Sequence, residues 1–278
     1  MVKEQQIDHI AKFEYNADLL IFIVFCEMLL QNLIESMHLL DPVVLQGCIF
    51  IFCMISIVTM LKFFGKAGIY VYSVMMVIIA NIQVLKAANI AISAAPVPLG
   101  NIVFTTLFFA TDILAEIYGK KEAEKSVWLG FASYLIFSII MVLTIGIRPL
   151  EGEGYIAFSK AHDAISYIFT PSLPLFVSSL AAYIISLYFD IFAFITLKNL
   201  FGEKLLWLRT SLSTILGIIL DNIVFSFLAW VIFAVIPIDF EIVVNTYILG
   251  TLKIRLLLTI ATIPVFYFVK QMVKKSSE

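Results

Sequence analysis

The chain has 278 residues, of which 62% are hydrophobic and only 14% charged, with a mean hydropathy of +1.04. A soluble domain is nearer to about 45–50% apolar and about 25% charged, so this composition excludes a water-soluble globular protein and points to the bilayer. The formal net charge of −2 identifies no partner, and none of the chain's basic runs calls for nucleic acid.

The first 17 residues are polar and mixed in charge, so no cleavable leader is read there and the first apolar stretch is expected to stay as a helix. About 20 apolar residues cross a membrane, with 17–25 acceptable. Eight stretches meet this, at about 18–35, 43–61, 68–90, 99–118, 126–147, 173–197, 208–235 and 245–269. The expected fold is therefore an all-α polytopic bundle of about eight spans. It divides into residues 1–66, with two spans, and a six-helix core over 67–278. Two connections carry no basic residue, near 91–98 and 236–244, and their prolines (Pro96, Pro98, Pro237) mark breaks between helices. Cys26, Cys48 and Cys53 lie in apolar runs without C-x-x-C spacing and read as small buried hydrophobes. There is no phosphate loop and no HExxH, and the three histidines are scattered, so no cofactor, metal or catalytic residue is expected.

Basic residues set the expected orientation. With a cytoplasmic N-terminus, the cytoplasmic segments carry Lys3, Lys12, Lys62, Lys66, Lys120, Lys121, Lys125, Lys198, Lys204, Lys270, Lys274 and Lys275, twelve against two (Arg148 and Lys160) outside. Acids gather outside instead: Glu35, Asp41, Glu151, Glu153, Asp163, Asp239 and Glu241. Both termini are expected in the cytoplasm. Lys86, Arg209, Lys253 and Arg255 remain within or at the edge of spans, as do Glu27, Asp112, Glu116, Asp190 and Asp221. A charge in hydrocarbon costs roughly 3 kcal/mol on insertion scales, so each of these needs a partner or a use. Counting helical rise places Asp221 and Lys253 each roughly 10–15 Å from the outer face, and a pair between them is expected.

Polar faces recur at helical spacing. Asn101, Thr105, Phe108, Asp112 and Glu116 share one stripe, with Asp112 and Glu116 one turn apart. Ser179, Tyr183, Ser186 and Asp190 form a second stripe, and Thr210, Thr214, Gly217 and Asp221 a third. Asn81, Gln83, Lys86 and Asn89 come from the span before. Such faces are expected to enclose a polar intramembrane pocket. The plainer alternatives are that Glu116 and Asp112 anchor a helix end through Arg209 or Lys120, and that the small-residue stripes are close-packing surfaces.

The string F-x-x-T-D-I-L-A-E-I-Y-G-K-K at Phe108 to Lys121 resembles the queuosine precursor transporter family. Trp128 to Phe131, Ala182-Tyr183 with Ser186 and Asp190, and L-W-L-R-T-S-L-S-T from Leu206 to Thr214 with Gly217 and Asp221 extend the likeness. Asn81 and Lys86 fit the helix before the motif, so the resemblance spans roughly residues 68–270; Asp221-Asn222 departs from the small hydroxyl residue that family places after its aspartate. The resemblance implies a bacterial inner-membrane importer of a 7-deazaguanine such as queuine or its cyano or aminomethyl precursors, used in tRNA modification. Its partners would be membrane lipid and a nucleobase-like small molecule, with a homodimer left open.

A guanine-like ring presents an N–H and an amine side by side, and one carboxylate accepts from both. Asp112 is the first candidate, followed by Asp221 and Asp190. Phe108 and Tyr183 would stack on the ring, and Asn81 or Gln83 would meet its carbonyl. Thr105 and Glu116 complete the face, while Arg209, Lys253 and Lys86 support its charges. Two alternatives stay open: a substrate-binding membrane subunit energised by partner proteins, and an intramembrane enzyme.

Overall fold

The computed structural model describes residues 2–90, 96–150, 152–169, 173–202, 204–234 and 239–276. It is helical almost throughout. Residues 1–45 and 46–278 form two compact units. The first is built on α1 (Val2–His38). The second holds most of α2 (Pro42–Gln83), a two-stranded hairpin of β1 (Ala87–Ala88) and β2 (Val97–Pro98), α3 (Gly100–Ile117), α4 (Lys120–Gly146), α5 (Ile156–Phe169), α6 (Leu173–Phe201), α7 (Leu206–Phe227), the short α8 (Phe240–Ile242) and α9 (Leu249–Ser276). Among the described residues, seven helices are long and apolar enough to cross a membrane. This is a multi-pass helical membrane bundle.

The expected second and third spans both lie in α2. Gly65 interrupts that helix with φ 57° and ψ −139°, a left-handed conformation open to glycine at little steric cost. The chain doubles back there. Cys53 and Tyr72 touch, although 19 residues of straight helix would hold them roughly 28 Å apart. Gly68 lies so close beneath the Met60 carbonyl that an added Cβ would collide with it. The 42-residue helix is thus two antiparallel passes, which accounts for eight apolar stretches in seven long helices. Beyond Gln83 the chain leaves the helix, so 84–90 forms a turn and strand rather than the last two turns of a span.

α3 is the central helix. Fourteen of its eighteen residues are buried, because α4, α6, α7 and α9 all pack against it. It ends at Tyr118, and Gly119 at φ 92° turns the chain into α4. The core around it is apolar and aromatic, with Phe109 edge-on to Phe266 at 5.6 Å between ring centroids.

Two expectations need adjustment. Cys26 and Cys48 are exposed, and only Cys53 is buried, because the first two face outward from apolar helices that lipid would cover. The segment after Arg148, expected only as a connection outside the membrane, contains α5, whose described residues are all at least partly exposed. Its 14 residues span about 21 Å, too short to cross a core of about 30 Å. The break expected at Pro237 and the acid at Glu151 lie outside the described residues.

The reversal in α2 predicts a stability difference. Gly68→Ala should destabilise detergent-purified protein by about 1–3 kcal/mol, the usual cost of overpacking. Gly146→Ala, where nothing lies within 4 Å of the added methyl, should leave the thermal unfolding midpoint unchanged.

Candidate functional site

Three polar stations lie along α3, and each uses different chemistry. At the C-terminal end, the Glu116 carboxylate receives Lys198 from α6 at 2.9 Å, Arg209 from α7 at 3.0 Å and Lys270 from α9 at 2.8 Å. The Glu116 side chain is only 3% exposed and that of Arg209 is 0%. Arg209 also donates to the Gly202 carbonyl and lies 5.5 Å over the Phe194 ring. Leu205, held left-handed at φ 55°, starts α7 and so sets where Arg209 enters. Glu116 is thereby an anchor, the alternative raised from sequence, and its oxygens are committed to cations.

One turn back, Asp112 is 1% exposed and accepts the Thr214 hydroxyl at 3.4 Å. Asp190 on α6 is 0% exposed and accepts the Thr111 hydroxyl at 3.5 Å. Gly217 makes this close approach of α3, α6 and α7 possible: a Cβ there would sit 2.7 Å from Phe108 Cε1 and 3.1 Å from Asp190 Cβ. Phe108 is itself fully buried and acts as packing rather than as a wall for a ligand.

The third station is an open cleft at the N-terminal end of α3, with about 430 Å³ of space free of protein atoms, part of it open solvent. Its polar wall is Asp221 and Asn222 of α7 with Arg255 of α9. Arg255 Nη1 donates to Asp221 Oδ2 at 2.7 Å and to Asn222 Oδ1, and Arg255 Nε donates to Thr105 Oγ1 at 3.3 Å. Asn222 in turn donates to Thr251 Oγ1 at 3.1 Å. The guanidinium lies 5.5 Å from the Phe104 ring centroid, a cation–π distance that fixes its plane. Asn81, Asn101, Phe104, Ser179 and Phe225 line the remainder. Two donors there are buried without a partner, Arg255 Nη2 and Asn101 Nδ2. Buried donors in folded proteins are nearly always paired, so these two mark a place for an acceptor.

The sequence-derived candidates divide accordingly. Asp221 and Asn81 line the cleft, and Thr105 positions Arg255 behind it. Tyr183 is buried and meets Phe104 edge-on at 6.2 Å, so it backs the wall. Asp112, Asp190 and Phe108 sit deeper, outside the cleft lining. Gln83 is half-buried at the end of α2, also outside that lining, and Lys86 is exposed in the following turn. The expected Asp221–Lys253 pair is replaced by Asp221–Arg255. Two residues along a helix turn the side chain by about 200°, so Lys253 is exposed while Arg255 faces inward. The sequence did carry that signal: Thr251, Arg255 and Thr259 form a polar stripe at i,i+4 spacing, and all three are buried. Phe104, Lys198 and Lys270 were not singled out as site residues, because neither a phenylalanine nor a lysine at a helix end is distinctive by itself.

A family profile described as Putative vitamin uptake transporter matches residues 98–269. The chain belongs to this family. The vitamin uptake transporter stretch contains all three stations of α3, together with Asp190, Arg209, Asp221 and Arg255, while Asn81 precedes it. Among curated relatives, a Bacillus subtilis (strain 168) protein named "Probable queuosine precursor transporter" is 31% identical over 222 residues, covering 76% of this chain and 87% of the relative. No solved structure matches the chain.

The Glu116 anchor gives a direct test. Glu116→Gln leaves Arg209 buried without its countercharge and should cost about 3–5 kcal/mol in thermal unfolding. Glu124→Gln, which removes a surface pair with Lys120 at 3.5 Å, should cost no more than about 1 kcal/mol.

Proposed function

We propose that this protein is a membrane transporter that imports a queuosine precursor, a 7-deazaguanine, through the cleft at Asp221, Asn222 and Arg255. Family membership and the name of the Bacillus subtilis relative support the substrate class. The observation that carries the reading to residues is the pairing of a carboxylate with unpartnered donors beside two phenylalanines.

The chemistry fits a guanine-like ring. Asp221 gives one oxygen to Arg255, and a carboxylate has lone pairs left to accept a ring N–H and the neighbouring amine. Arg255 Nη2 or Asn101 Nδ2 would donate to the ring carbonyl. Phe104 and Phe225 offer flat apolar surfaces for stacking. A purine that reverses this donor–acceptor pattern would leave buried groups unpaired on both sides, which is a strong basis for discrimination. Asp221 thus takes the recognition role first given to Asp112.

In this reading the cleft opens toward the outside, the Glu116 anchor lies toward the cytoplasm, and both termini are cytoplasmic. The excess of basic residues on that side, twelve against two, supports it. Fluorescent-protein fusions to either end should therefore fluoresce in cells, and alkaline-phosphatase fusions there should be inactive.

Binding to purified protein tests the site. A hydrogen bond to a charged group contributes about 1.5–3 kcal/mol, so Asp221→Asn should weaken binding of a 7-deazaguanine by about 10- to 100-fold. Lys253→Ala, at an exposed position, should bind as the wild type does. Equal affinity for all three proteins would remove Asp221 from the site.

A further inference from the structure

The carboxylates of Asp112 and Asp190 take no part in the cleft, yet they are among the most deeply buried groups in the bundle. Asp112 belongs to α3 and Asp190 to α6, and each lies within electrostatic range of the other. Hydroxyl contacts to them are few and long: Thr214 to Asp112 Oδ2 at 3.4 Å and Thr111 to Asp190 Oδ2 at 3.5 Å. Ser213 stands beside Asp190 but donates its hydrogen to the Thr210 carbonyl at 3.2 Å. The second oxygen of each acid, Asp112 Oδ1 and Asp190 Oδ1, is buried and accepts no hydrogen bond among the described residues. Thr210, one turn before Thr214 on the same face of α7, is 1% exposed and its hydroxyl also lacks a partner.

Among the described residues no cation is bonded to either carboxylate. The charged groups that face the pair are Glu116, one turn along α3, and Arg209 from α7. Arg209 is bonded to Glu116 and the Gly202 carbonyl, while Lys198 of α6 and Lys270 of α9 are also turned onto Glu116. Two ionised carboxylates side by side in such a setting would repel each other and forgo hydration, a combination that buried acids avoid by sharing a proton. A bound metal ion would need a shell of several oxygens. Among the described residues no group of three or more His, Cys, Asp or Glu side chains is placed to supply one.

We propose that Asp112 and Asp190 share one exchangeable proton and form the coupling site of the transporter. The proton is held when the pair is sealed between α3, α6 and α7, and it leaves when these helices part to expose the pair to the cytoplasmic side. Ser186, one turn before Asp190 on α6, stands beside Asp221 at the cleft with its buried hydroxyl unpaired among the described residues. Gain or loss of the proton therefore bears on the helix contacts that hold the substrate wall. The coupling half of this proposal rests on the transporter reading; the proton site does not.

The test separates the two. Infrared difference spectra of the full-length protein in detergent, recorded between acidic and alkaline buffer, should show the carbonyl stretch of a buried protonated carboxyl that shifts on hydrogen–deuterium exchange. The band should be lost in Asp112→Asn and in Asp190→Asn. In proteoliposomes, wild-type accumulation of a 7-deazaguanine should follow an acidic-outside gradient and be lost on its collapse, with sodium replaceable by potassium. A wild-type spectrum without this band overturns the proton site, and so does a band that persists in both variants. If the variants fail to fold, the wild-type spectrum and its uptake in sodium against potassium still decide. Accumulation that follows sodium at constant pH overturns the proton assignment. Wild-type protein that shows the band but takes up no 7-deazaguanine under any gradient overturns the coupling and the substrate reading, leaving the proton site in place.

Discussion

Glu116 draws a cation from each of three helices onto the end of α3, and the arrangement of the bundle follows from that demand. A lone carboxylate in this setting is expensive, and so is a lone buried guanidinium; together, with Lys198 and Lys270 at the margin, they form a network in which each charge has a partner. α6, α7 and α9 are thereby gathered at one end of α3, and farther along they meet through close packing and the Asp221–Arg255 pair. Gly217 in the middle and the edge-on aromatic contacts around Phe109 let the helices stay near each other along their length.

That gathering leaves the other end of α3 free to open. Asn101, Phe104 and Thr105 lie about three to four turns from Glu116, where the cleft begins. Here the charge arrangement is reversed in purpose. Arg255 and Asp221 satisfy each other, but Arg255 keeps a buried nitrogen with no acceptor. A site in which most polar atoms are paired and a few are left over is what a small polar ligand requires, since it gains by supplying the missing partners. One end of the bundle is closed by a carboxylate held by three cations, and the other is an open cleft in which Arg255 Nη2 and Asn101 Nδ2 have no partner among the described residues.

The architecture was readable from the sequence because bilayer thickness fixes how long an apolar run must be, and eight such runs stand out. The reversal at Gly65 was only half visible: Lys62 and Lys66 marked a gap between spans, but the helix continues on either side of one glycine instead of ending in a loop. Within the site, the sequence identified the right helices and faces. It could not say which acid met the cleft, since Asp112 and Asp221 look alike as isolated charges in apolar runs. What separates them is the neighbour across the interface, a threonine for one and an arginine for the other. The choice of Lys253 over Arg255 was a matter of depth taken without register, and the Thr251–Arg255–Thr259 stripe resolves it.

The most direct measurement is an experimental structure of the full-length protein with a cyano-substituted 7-deazaguanine bound. The account predicts the ring between Phe104 and Phe225, its amine edge on Asp221 and its carbonyl toward Arg255. A ring lodged instead against Asp112, or outside the cleft altogether, would contradict it.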